Sequence, residues 1–160
     1  MKRFIYKTKI GLLLISADEI GITNIDFVNE SDFNEYSNKY NMQETAVLKE
    51  AKKQLDEYLK GSRQVFNLPL NLKGSEFQMK VWDVLRQIPY GETWTYKKVA
   101  EKIGNPKASR AVGMANNKNP LMIVVPCHRV IGTNGKLIGY AGGLDLKKRL
   151  LELENINPLV

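Results

Sequence analysis

Residues 3 to 28, RFIYKTKIGLLLISADEIGITNIDFV, alternate apolar and polar positions in short runs broken at Gly11 and at Asp18 to Gly21. A period of two with turn residues between the runs predicts an antiparallel meander of three strands. A polar, Asn-rich link from Asn29 to Asn41 follows, and then the period changes. In QETAVLKEAKKQLDEYLKG, Val47, Leu48, Ala51, Leu55, Tyr58 and Leu59 keep helical spacing, and Gly61 supplies the stop. Gln64 to Leu68 reads as one more strand. Pro, Gly and Asn cluster in LPLNLKGS, residues 68 to 75, which places a boundary between a domain at 1–72 and a second at 73–160.

The second half carries more helix signals. Ser75 with Gln78 three positions on forms a capping box, and Phe77, Val81, Val84, Leu85 and Ile88 make the apolar stripe behind it, ended by Pro89. Thr95 caps a helix near 95–103, Gly104-Asn105-Pro106 turns the chain, and a second helix runs from Lys107 to about Asn117. Two short helices joined by a tight Gly-containing turn have the form of a helix-turn-helix. LMIVV, residues 121–125, reads as a buried strand or extended segment. Val130-Ile131 and Leu137-Ile138 flank an Asn134-Gly135 hairpin signal, and a last helix starts at Asp145. The fold class is α+β: a small N-terminal antiparallel sheet with a helix, then a mainly helical, winged helix-turn-helix-like domain.

On the second helix of that motif, Ala108, Ala111 and Ala115 fall at i, i+3 and i+7, with Arg110, Met114 and Asn117 on the strip beside them. Small side chains let a helix backbone approach closely, either to a neighbouring helix or to DNA. Arg110 and the Asn116-Asn117 pair are the groups able to read base edges, so grip on backbone and groove shape is expected more than sequence specificity.

Composition narrows the choice. At 160 residues the chain buries roughly 70% of its unfolded surface. Its apolar fraction of 43% and charged fraction of 26% are those of a soluble globular protein. No apolar run spans a bilayer and no cleavage site follows the basic start, so a cytoplasmic protein with no membrane partner is expected. One cysteine and one histidine make neither an internal disulfide nor a four-ligand zinc site. A net charge of +7 points to an anionic partner such as nucleic acid.

The single cysteine and single histidine stand side by side as Cys127 and His128, inside IVVPCHRVIG. A thiol reacts as thiolate, and at an ordinary pKa of about 8.5 it needs a base or a positive charge nearby. Adjacent side chains of a strand point to opposite faces, so contact would require a local turn after Pro126 or a bridging water. The plain alternative is a buried structural Cys followed by a surface His. An active imidazole wants a carboxylate on its other nitrogen. Asp145 is better used as helix N-cap, and Glu152 pairs with Lys148 on the wet face. Glu154, four after Leu150 and three after Leu151, points inward and is the best candidate.

PCHRV at 126–130, GYAGG at 139–143, PYGETWTY at 89–96, NPKASRAVG at 105–113 and Asn119-Pro120, all in order, resemble the O6-alkylguanine-DNA alkyltransferases. The resemblance is close over 75–156; the first 70 residues match in general plan, which implies that family's RNase H-like N-terminal domain. It implies one displacement, without cofactor or metal, that moves the alkyl group from O6 of guanine in duplex DNA onto Cys127. O6-methylguanine is the main substrate implied, with O4-methylthymine beside it, and a monomer acts once. His128 would be the base, through a water, and Glu154 the carboxylate behind it. Tyr96 would donate toward guanine N3, and Arg110 would enter the stack as the damaged base rotates out. Lys107, Ala108, Ala111, Ala115 and Asn117 would lie along the DNA. Asn119 would brace the turn before the cysteine. The carbonyls of Cys127 and Val130 would accept from the guanine amine, with Met122, Tyr140 and Ala141 lining the pocket. Two departures stand out: Ala141 replaces a serine of some relatives, and Met122 a proline. The competing readings are a damage-binding protein without transfer chemistry and a Cys-His hydrolase; an adjacent pair disfavours the latter, since such enzymes draw nucleophile and base from distant segments.

Overall fold

A computed structural model describes residues 1–140 and 142–157, in two compact units, Met1–Lys73 and Gly74–Val160. In the first, β1 (Lys2–Thr8), β2 (Gly11–Ala17) and β3 (Ile22–Val28) form an antiparallel sheet in the order β1-β2-β3. The period-two alternation marked these strands correctly. The link after them is not all loop, since a 3-10 turn at Glu30–Asp32 leads into α1 (Phe33–Lys39). No residue of α1 is buried, so no apolar stripe announces it.

Helix α2 (Ala46–Leu59) begins at Thr45, whose hydroxyl accepts from the Leu48 N–H. It packs on all three strands through Leu48, Ala51, Leu55, Tyr58 and Leu59. Burying one such leucine is worth about 1.5–3 kcal/mol, so this face holds the helix in place more than propensity does. The strand expected at Gln64–Leu68 does not form. Buried Gln54 takes its backbone bonds instead, donating from Nε2 to Asn67 O (3.0 Å) while Oε1 accepts from Asn67 N–H (2.9 Å). Bonding to the sheet comes later: Ile22 N–H donates to Pro69 O (2.8 Å) and Asn71 N–H to Ile22 O (2.9 Å).

In the second unit, α3 (Glu76–Leu85) opens with the Ser75–Gln78 capping box and buries Val81, Trp82, Val84 and Leu85. After it, β4 (Trp94–Thr95) leads into α4 (Tyr96–Lys102), capped by the Thr95 hydroxyl. Gly104, at φ 84°, closes α4: its N–H donates to Glu101 O and that of Asn105 to Ala100 O, the paired bonds of a Schellman turn that only glycine enters without strain. Helix α5 (Ser109–Asn117) starts two residues later than its pattern suggests, leaving Lys107 outside it. Helices α3, α4 and α5 pack on one another, and the Trp82 indole N–H donates to Ala115 O (2.9 Å).

Three further expectations are corrected here. LMIVV is a tight turn rather than a strand: Leu121 N–H donates to Asn119 Oδ1 (2.9 Å), and Asn119 Nδ2 donates to Val125 O (2.8 Å). This staple closes the segment while Leu121, Ile123 and Val125 bury their side chains, and it holds Ile123 at φ 73°. A β-branched residue there stores about 1–3 kcal/mol of strain. The Asn134-Gly135 turn forms, with Gly132 N–H donating to Lys136 O (3.0 Å), but no hairpin grows from it. β5 (Val130–Ile131) pairs instead in parallel with β4, Trp94 opposite Val130. Finally, the N-cap of α6 (Leu144–Leu153) is Gly143; Asp145 lies inside the first turn, where its charge suits the helix dipole.

Candidate active site

Pro126, at φ −81° and ψ 63°, makes an inverse γ-turn in which Cys127 N–H donates to Val125 O (2.8 Å). A 3-10 turn, Cys127–Arg129, follows directly. This is a local turn after Pro126, as expected for a thiol and an imidazole that are adjacent in sequence. His128 is fully buried, and its Nε2 lies 2.7 Å from Glu154 Oε2. An ionised carboxylate accepts, so Nε2 carries the proton and Nδ1 the lone pair.

Glu154 is 2% exposed and caps the C-terminal end of α6, which packs on the Cys127–Arg129 turn. Among the described residues, four N–H groups donate to it. Besides His128, Arg129 donates from Nε to Oε1 (2.8 Å) and from a terminal nitrogen to Oε2 (3.1 Å), and Gly91 N–H donates to Oε1 (3.0 Å). The other terminal nitrogen of Arg129 donates to Ile88 O (2.8 Å), and the guanidinium lies over the Tyr90 ring at 5.6 Å. A buried ion pair is worth having only when its polar atoms are this well satisfied.

Burial pushes the Cys127 thiol above its ordinary value, opposed by the Asn119 side chain, the Lys147 charge and the Tyr140 hydroxyl. Burial also drives His128 below 6.5, outweighing the pull of Glu154, with Arg129 and Lys147 acting in the same direction as burial. The resting pair is therefore a protonated thiol and a neutral imidazole, the states a nucleophile and its base start from.

Lys147 and Arg129 are site residues that the sequence reading did not single out. Lys147 is wholly buried, and its ammonium donates to Val130 O (2.6 Å), Ile138 O (3.0 Å) and Gly139 O (3.3 Å). Burial pulls its pKa down to about 8. A signal was present: Lys147, Leu150, Leu151 and Glu154 fall at i, i+3, i+4 and i+7, so the lysine shares the buried stripe with the carboxylate. Arg129 has no such periodicity.

Tyr96, half-buried at the start of α4, donates its hydroxyl to Ile138 O (2.8 Å), and burial raises it to about 12. It lines an open concavity of about 470 Å³ with Arg110, Gly113, Met114, Asn117 and Gly139. Arg110 and Asn117 are exposed on α5. The alanine stripe is corrected: Ala111 is exposed, Ala108 half-buried and outside the helix, and Ala115 buried against α3, so the three share no outer face. Asn116 likewise faces inward, donating to Cys127 O (3.3 Å). Lys107 is exposed, Met122 half-buried and Tyr140 buried; Ala141 lies outside the described residues. The Cys127 carbonyl already accepts from both Asn116 and the Val130 N–H, whereas the Val130 carbonyl accepts from Lys147. Among the described residues no group of three or more His, Cys, Asp or Glu could hold a metal ion.

A buried, activatable thiol behind a helix-turn-helix defines a nucleophile carried by a DNA-binding fold. Two family profiles cover nearly the whole chain: the 6-O-methylguanine DNA methyltransferase ribonuclease-like domain over residues 1–72 and its DNA-binding domain over residues 76–156. A methylated-DNA--protein-cysteine methyltransferase of Methanosarcina acetivorans is 49% identical, covering 94% of this chain and 96% of that one. The constitutive methyltransferase of that name from Bacillus subtilis is 47% identical, over 94% and 93%. The crystal structure of Mycobacterium tuberculosis OGT in complex with DNA superposes with a TM-score of 0.86 at 40% identity, covering 99% of this chain and 96% of that chain. The chain belongs to the 6-O-methylguanine DNA methyltransferase family.

Proposed function

We propose that this protein repairs duplex DNA by taking the alkyl group of O6-alkylguanine onto Sγ of Cys127. The observation that carries the reading is the buried imidazole of His128, held to Glu154 at 2.7 Å and next in sequence to the chain's single thiol. His128 takes the thiol proton through a water, Sγ attacks the alkyl carbon, an S–C bond forms and the C–O6 bond breaks. Guanine leaves as an anion supported by the Tyr96 hydroxyl, which turns from Ile138 O to reach it, and then takes up the proton held on His128, so the net is one proton moved from the thiol to guanine. O6-methylguanine is the main substrate and O4-methylthymine a second.

The reacting atom is hidden in the duplex, so the nucleotide must swing out at a cost of a few kcal/mol. Arg110, exposed at the rim of the Tyr96 concavity, fills the gap it leaves. Asn119 holds the turn before Cys127, and Lys107 and Asn117 meet the DNA from the exposed side of the motif. Met122, Val130 and Tyr140 complete the pocket wall. The product is a thioether, which water does not cleave, so one monomer in the cytoplasm repairs one lesion without cofactor or metal.

The test is stoichiometry. Incubated with a duplex holding one O6-methylguanine and then digested, the protein should give a Cys127 peptide carrying one methyl, with at most one equivalent repaired. An unmodified Cys127 peptide would return the reading to damage binding alone, and turnover beyond one equivalent would favour a hydrolase.

A further inference from the structure

We infer that Arg129 is a positioning residue for this reaction: its fork, gripping both oxygens of Glu154, shares the carboxylate with His128 and keeps the imidazole neutral as a base. The inference rests on the transfer reading above and adds a residue to it.

A carboxylate alone beside a buried imidazole favours the imidazolium, because an opposite charge in a low-dielectric site stabilises the protonated ring. An imidazolium cannot take a proton. Here the negative charge is already met by a guanidinium on the same two oxygens, at 2.8 and 3.1 Å, and by the Gly91 N–H at 3.0 Å. His128 therefore receives the orienting hydrogen bond of Glu154 while much of the carboxylate's charge is answered elsewhere. Among the described residues, the charged groups that act on the ring fit this account. Glu154, at the end of α6, pulls toward protonation; Arg129 on its own turn and Lys147 on α6 push against it, as burial does. Cys127 stands beside it in sequence as a protonated thiol at rest.

The fork is also held from behind. The remaining guanidinium nitrogen donates to Ile88 O and the guanidinium lies over Tyr90, which anchors the fork against Glu154. A lysine in its place would keep the charge but lose the two-point hold.

The chain's one histidine makes the test direct, because a single imidazole is seen by NMR. Its titration would be followed in the wild type, Arg129→Met and Arg129→Lys. Methyl transfer from an O6-methylguanine duplex would be timed across pH for the same three proteins. Without the fork, His128 should titrate at higher pH than in the wild type, and the wild-type-to-Met rate ratio should be roughly tenfold larger near pH 6.5 than near pH 8.5. The lysine variant should fall between. Equal loss at every pH, or an unmoved titration, would reduce Arg129 to a structural residue. If neither variant folds, the wild type still decides against the role where its imidazole is charged at pH 7. A wild type that never methylates Cys127 counts against the transfer reading, whereas the titration tests Arg129 either way.

Discussion

Lys147 carries a positive charge into the interior and spends it on three backbone carbonyls from two segments, Val130 and the Ile138–Gly139 stretch. The Tyr96 hydroxyl meets that same Ile138 carbonyl, so one ammonium ties the tyrosine's partner to β5, which directly follows the Cys127–Arg129 turn. Lys147→Met should leave those carbonyls short of a donor, cost about 2–4 kcal/mol of stability and slow transfer more than tenfold. The pH signs are opposite for function and folding. With its pKa at about 8, the ammonium is lost as pH rises through that value, and transfer should fall on this limb. Between about 8 and 10.5 the unfolded chain holds the extra proton, so this group's contribution to stability rises with pH. Rate against pH, and urea midpoints against pH for wild type and the Met variant, check the two separately; a flat rate through pH 8 would contradict the assignment. His128 acts in the acid range: held below 6.5, it makes stability fall as pH drops through the ordinary imidazole range.

Among the elements, α5 has two duties. Its inner side is bonded to the core through Ala115 O and Asn116, while Arg110 and Asn117 stand on its outer side. Arg110→Ala should leave the fold intact and slow repair in duplex DNA much more than reaction with the free modified base. Equal losses on the two substrates would remove its role in filling the stack. The sequence disclosed α2, α3, α4 and the three-strand sheet because each combines a clear period with a cap or turn residue, as at Ser75, Thr95 and Gly104. It disclosed Cys127, His128 and Glu154 because they are rare or fall on a stripe. LMIVV and Gln64–Leu68 misled for one physical reason: an amide side chain outside the segment, Asn119 close by or Gln54 thirteen positions away, satisfies the backbone that a strand partner would otherwise take. Such competition between a side chain and a ladder leaves no mark on periodicity. Arg129 was invisible for a similar reason, its partners lying 25 and 41 positions away.

Across the whole molecule the charge is uneven. Gly74–Val160 holds 13 Lys and Arg against 7 Asp and Glu, net +6, while Met1–Lys73 holds 11 against 10, net +1. Affinity for undamaged duplex should therefore fall steeply with salt, and reversing two exposed charges of the second unit, such as Lys107 and Lys118, should flatten log Kd against log salt by about 1–2. The same reversals in the first unit should leave the slope nearly unchanged, and equal effects from both would mean that binding does not follow this asymmetry. The Glu154 hub has one more consequence, in time rather than space. His128 waits 26 positions for its carboxylate, an interval of roughly one to five seconds of synthesis. Until the last helix leaves the ribosome and docks, a nascent chain already displays its only thiol but lacks the group that orients the base. The reagent is thus made before it is armed, and a chain cut short ahead of Glu154 would keep its cysteine unspent.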